Sequence, residues 1–166
     1  MSEASPDAPS GLFVGEWSRT LDERFRVSLP ADWAELIAGP EADCTLAKER
    51  PGCISVWRSD HWRSWLDDGL RLIEAKVSSG RLGQRTDQLQ TLGRLLSTRH
   101  HTAQLSGRGR IAIPESFRDF LGIEPSGRLL IVGAAVCVEL WNPAQWGEHI
   151  AQQMPGFRDL FNELTA

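Results

Sequence analysis

The sequence predicts an α+β fold in which one unit is used twice, and three observations predict it. Displacing the chain along itself by 84 positions (106 − 22) lays Leu21, Arg24, Arg26 and Pro30 on Leu105, Arg108, Arg110 and Pro114. The same offset, without a gap, carries Leu46, Cys53, Trp57 and Trp62 onto Leu130, Cys137, Trp141 and Trp146. In both copies a period-two stretch ends at a proline and gives way to helical spacing. A stretch that recurs at one offset is a folding unit. Copies of roughly 70–80 residues hold a marginal core alone, so the two are expected to share a core around a pseudo-two-fold axis.

The elements follow in order. Segment 1–11, rich in Ser, Pro, Ala and Asp, reads as a disordered tail. The first repeat is 12–80, a linking helix is 81–96, and the second repeat is 97–166. Leu12–Pro30 has strand character with a turn near Asp22–Phe25. Arg26-Val27-Ser28-Leu29 and Arg110-Ile111-Ala112-Ile113 alternate as half-buried strands. Ser106-Gly107-Arg108-Gly109 is a tight-turn sequence whose glycines accept positive φ. Pro30 and Pro114 end their strands and start helices over 31–38 and 115–121, stopped by Gly39-Pro40 and Gly122. Strands are expected at 44–48 and 53–57, and again at 129–132 and 136–141. Trp62, Trp65, Leu66, Ile73 and Val77 then recur at helical spacing. In the second copy Asn142-Pro143 caps a helix carrying Trp146 and Ile150, and a last amphipathic turn spans 157–164. Ser78-Ser79-Gly80 is the expected hinge before a helix that carries Leu89, Leu92 and Leu96.

Composition narrows the function. Of the 166 residues 41% are hydrophobic and 24% charged, values ordinary for a globular chain. No apolar run is long enough to span a membrane, and no basic and apolar leader opens the sequence. Cys44, Cys53 and Cys137 lack metal or redox spacing and read as packed thiols in a reducing cytoplasm. The net charge of −4 argues against a general nucleic-acid coat, but allows a binder whose basic residues are gathered in one place.

Two arginines one residue apart at a turn, present in both copies, are such a gathering. Arg24 and Arg26 are matched by Arg108 and Arg110. The planar guanidinium suits phosphate oxygens and the guanine edge. Shown twice across a two-fold, these turns make a basic two-stranded ribbon able to enter a major groove. The plainer reading is surface decoration, with Asp22 and Arg26 as a local ion pair bracing the turn. Asp22, Ser106, Gly107 and Gly109 are the residues expected to shape the turns. Arg81, Arg85, Arg94 and Arg99 read as a solvated face or a secondary DNA contact, and the tryptophans as core or subunit packing. Adjacent His100 and His101 face opposite ways on a strand, which disfavours a metal site. There is no phosphate loop, nucleophile elbow or repeated carboxylate pair, so neither an enzyme nor a bound cofactor, metal or small-molecule substrate is expected.

Asp22-x-x-x-Arg26 with its alternating strand and Pro30, repeated around Arg110 and Pro114, resembles the MraZ family, as do Val56-Trp57…Trp62 and Leu140-Trp141…Trp146. The resemblance runs from about Gly15 to the end of the chain. It implies two tandem AbrB-like swapped-hairpin units with flanking helices and a homo-oligomer closed as a ring. It also implies a cytoplasmic, nucleoid-associated regulator, a repressor by family vocabulary, that binds double-stranded DNA upstream of the division and cell-wall genes. Arg118, after Pro114, is a further DNA contact on this resemblance. Phe25 stands where the family has glycine, Ser106 where it has Asp, and Ala34 where it has Arg. Those departures leave an alternative, a ring-forming interaction protein of the same fold with decayed DNA contacts.

Overall fold

The computed structural model describes residues 11–166. Segment 1–10, and with it nearly all of the expected tail, lies outside the described residues. The first copy holds β1 (Glu16–Thr20), β2 (Arg26–Ser28), α1 (Ala31–Ile37), β3 (Asp43–Arg50), β4 (Cys53–Trp57) and α2 (Ser59–Ser78). A helix α3 (Thr86–Arg99) follows. The second copy holds β5 (His100–Gln104), β6 (Arg110–Ala112), α4 (Glu115–Leu121), β7 (Arg128–Gly133) and β8 (Val138–Trp141). It ends in α5 (Pro143–Gln153), a 3-10 turn (Met154–Gly156) and α6 (Phe157–Thr165).

The fold is α+β with antiparallel strands, and the copies exchange strands. One sheet runs β1-β7-β8-β4-β3-β5, and a second, two-stranded, pairs β2 with β6. Thus the first strand of each copy pairs with the third strand of the other, and the short strands before the prolines pair across copies. When every strand is replaced by its repeat counterpart, the six-strand order reads the same from the opposite end.

Pairing corrects the gap-free alignment in one place. Leu130 opposes Trp141 as Thr45 opposes Trp57, so β3 and β7 correspond at an offset of 85 (130 − 45), while β4 and β8 keep 84 (141 − 57). Leu46 therefore corresponds to Ile131 rather than to Leu130. Burial agrees: Leu46 and Ile131 are both inaccessible, and Leu130 is half-buried beside Trp141. A one-residue slip would turn every side chain of the strand to its other face. The loop before β7 absorbs the extra residue, and the β7–β8 connection gives it back.

One core joins the copies. Trp33, Ile37, Leu46 and Ile54 from the first pack in the same cluster as Phe117, Leu121, Ile131 and Leu140 from the second. Fully burying such a side chain stabilises by about 1.5–3 kcal/mol, and neither copy could enclose this set alone. One expected helix start and one expected stop are well formed: Asn142 accepts a hydrogen bond from the Ala144 amide with Pro143 in the first turn, and Gly122 ends α4 at φ +73°.

The outer helices are less covered. Trp62 is buried, but Trp65 is 66% exposed. Leu66 and Ile73 of α2, with Leu92 and Leu96 of α3, line an apolar groove. Phe157, Leu160, Phe161 and Leu164 stand exposed along α6. Among the described residues no helix is long and apolar enough to cross a membrane.

Candidate nucleic-acid interface

The β2·β6 ribbon carries the four repeated arginines at its turns. Val27 opposes Ile111, and both are buried. Alternation then sends Arg26, Ser28, Arg110 and Ala112 to the outer face. Arg26 pairs with Ala112 and Arg110 with Ser28, so the two arginines sit at opposite ends of the ribbon, about 7 Å apart along it. Arg24 and Arg108 lie in the turns themselves and are exposed.

The two turns share a backbone. Asp22 N donates to Arg26 O at 3.0 Å and Phe25 N to Asp22 O at 3.0 Å. Likewise Ser106 N donates to Arg110 O at 3.0 Å and Gly109 N to Ser106 O at 2.9 Å. The fourth turn residue is left-handed in both, Phe25 at φ +56° and Gly109 at φ +68°. Glycine adopts that conformation freely; an aromatic residue there is uncommon. Each turn is hung on the other copy: Ile113 N donates to Phe25 O at 2.7 Å, and Leu29 N to Gly109 O at 3.0 Å.

Their side chains differ. Asp22 Oδ1 accepts from the amides of Arg24 and Arg26, both at 2.8 Å, and its Oδ2 accepts from Arg26 Nε at 2.8 Å. The Arg26 amide first, then its guanidinium and the Arg24 amide, hold the Asp22 carboxyl below its usual range. Arg26 is thus partly engaged as a brace. In the second turn Ser106 Oγ accepts only from the Arg110 amide, at 3.2 Å, and Arg110 Nε is buried without a hydrogen-bond partner among the described residues.

Arg118 lies against the first turn. Its guanidinium sits 4.0 Å from the centroid of the Phe25 ring, and its Nε donates to Ile113 O at 3.1 Å. At the other end Ala34 faces Gly109. Sequence reasoning missed this contact between Phe25 and Arg118 because the two belong to different copies. The signal was present, since the repeat pairs Phe25 with Gly109 and Arg118 with Ala34.

Other candidates stand apart from the ribbon. His100 lies beside Trp62, ring centroids 5.8 Å apart, and His101 beside Phe117 at 6.3 Å. Among the described residues no group of three or more His, Cys, Asp or Glu is placed to hold a metal ion. Cys44, Cys53 and Cys137 are buried free thiols.

Comparison with known proteins bears on this arrangement. The family model described as "MraZ protein, putative antitoxin-like" matches residues 98–164. A transcriptional regulator MraZ of Treponema denticola is 28% identical over 152 residues, 91% of this chain and 96% of that protein. One of Pediococcus pentosaceus is 26% identical over 92% of this chain and 96% of its own length, and one of Thermus thermophilus 26% identical over 83% and 87%. The chain is thus similar to the MraZ family model over its second copy and to MraZ regulators over most of its length. The match to MraZ relatives spans both copies, so the ribbon joining them lies within the shared region.

Proposed function

We propose that this chain is a DNA-binding transcriptional regulator that reads repeated sites upstream of the division and cell-wall gene cluster with its arginine turns. The observation that carries this is the β2·β6 ribbon, which presents Arg24 and Arg108 exposed and Arg26 and Arg110 on its outer face. The names of its MraZ relatives as transcriptional regulators support it. A two-stranded ribbon fits a major groove about 12 Å wide. Arg110, without a carboxylate partner among the described residues, is the leading contact, with Arg24 and Arg108 beside it. Arg26 contributes what its brace to Asp22 leaves free. A gel shift with the DNA upstream of the chain's own gene tests this. Specific retardation is expected, and equal binding to unrelated duplex contradicts it.

The same reading takes the protein as a closed homo-oligomer. The apolar groove between α2 and α3 and the bare face of α6 support assembly, and a head-to-tail contact at fixed rotation closes as a ring. Light scattering after size exclusion should find several subunits; a monomer at micromolar concentration contradicts it. The second reading, a ring former with decayed DNA contacts, draws on the Asp22–Arg26 ion pair and on Phe25 in the first turn. Assembly without specific DNA binding would favour it.

A further inference from the structure

We propose that Arg118 is a positioning residue, holding the first DNA-facing turn through the Phe25 ring and touching no phosphate itself; this rests on the DNA-binding reading above. Phe25 occupies a left-handed position that an aromatic residue seldom takes. Three contacts hold it there, and they form a closed circuit. Ile113 donates its amide to Phe25 O, Arg118 donates Nε to Ile113 O, and the Arg118 guanidinium covers the Phe25 ring at 4.0 Å. One N–H donor and one face of the Arg118 guanidinium are thereby engaged within the circuit.

The surroundings point the same way. Phe25 and Arg118 border a hollow also lined by Glu115, Asp119 and Glu124. Three carboxylates beside one guanidinium make a poor seat for a phosphate.

The opposite end of the ribbon solves the same problem differently. Gly109 takes the left-handed conformation without a side chain, and a Cβ there would lie 2.8 Å from Ala34 Cβ. Small faces small at one end, and ring faces guanidinium at the other. Phe25 with Arg118 and Gly109 with Ala34 are alternative ways to seat one turn, so the first is tied down by an aromatic and a guanidinium side chain and the second by its backbone and the single Ser106 Oγ bond.

A double-mutant cycle on Phe25→Gly and Arg118→Ala tests this, with Arg118→Lys as the conservative variant. Affinity for the upstream duplex is measured at several salt concentrations, on proteins whose circular dichroism is unchanged. Arg118→Ala should weaken binding by about two- to tenfold, the range of one cation–π contact, with the salt slope unchanged. In the Phe25→Gly background the same substitution should cost nothing further. Lysine should not restore affinity in full, since one ammonium cannot at once bond Ile113 O and lie flat over the Phe25 ring. A slope lowered by about 0.9, one phosphate, or full rescue by lysine, overturns the proposal.

Denaturant unfolding of the same four proteins without DNA separates this from the parent reading. If the wild type binds no DNA, the DNA reading fails, and a non-additive loss at 25 and 118 still upholds the circuit. Additive losses in unfolding overturn it. If Arg118→Ala does not fold, Arg118→Lys carries both arms.

Discussion

Gly109 lies so close to Ala34 that a Cβ on the glycine would be 2.8 Å from the Cβ of the alanine. The contact crosses from one copy to the other, at a position whose φ of +68° already asks for glycine. Two separate penalties therefore guard this turn, one from the backbone and one from the neighbouring helix.

Gly109→Ala is expected to destabilise the chain. The left-handed conformation alone costs a non-glycine residue roughly 1–2 kcal/mol, or about 2–8 °C in thermal midpoint for a chain of this size. Adding Ala34→Gly should recover the contact part of the loss and leave the backbone part. Calorimetry checks this, and an unchanged midpoint for Gly109→Ala contradicts the turn geometry.

The Asp22 brace gives a pH signature. Its carboxyl is held low in the folded chain by the Arg26 amide first, then by the Arg26 guanidinium and the Arg24 amide. A group with a depressed folded pKa stabilises fully above its unfolded value and loses that contribution as pH falls through the folded value. Asp22→Ser should therefore be less stable than the parent at pH 7, with the gap closing below about pH 4, the ordinary Asp range. Conversely, Ser106→Asp would give the orphaned Arg110 Nε an acceptor, worth about 1 kcal/mol. Denaturant midpoints from pH 7 into the acid range decide both; a gap for Asp22→Ser that does not narrow as the pH falls below about 4 contradicts the brace.

How far the sequence could be read depended on what each signal encodes. Proline and period two marked both ribbon strands, and the residues of α4 fall where its start and stop signals lie. Alternation shows which face is buried, but not which strand lies alongside, so the exchange of β1 and β5 was legible only through the family resemblance. The one-residue slip of β7 was hidden because Leu130 and Ile131 are both apolar, and only burial tells them apart. At the candidate site the repeated arginines and the Asp22–Arg26 ion pair were legible as local patterns. The stack of Phe25 under Arg118 was not, since it joins residues 93 positions apart (118 − 25) across the copies.

The cysteines should be silent in the folded chain. Burial pushes the thiols of Cys44 and Cys137 up to about 12, and that of Cys53 higher still. The thiolate is the reactive form, so a disulfide reagent at pH 8 should find almost none. All three should react once the chain is unfolded. Fast labelling of the native protein would contradict the packing of β3, β4 and the turn before β8.

The two ends of the ribbon should contribute unequally to DNA binding. Among the described residues Arg110 has no carboxylate partner, whereas Arg26 is tied to Asp22. Losing one base contact costs about 1–3 kcal/mol. Arg110→Ala should fall in that range and Arg26→Ala below it, measured on one operator. Equal losses would contradict the asymmetry.

The central claim is that a chain of net charge −4 binds DNA through a few arginines held on one ribbon. Fluorescence anisotropy of an upstream duplex, titrated between about 50 and 200 mM salt, tests it most directly. The account predicts a steep linear fall of log affinity with log salt, about 0.9 per phosphate neutralised, and a shallower slope when Arg24, Arg108 and Arg110 are replaced together. Affinity that stays flat across that range, or a slope indifferent to the triple substitution, would contradict it.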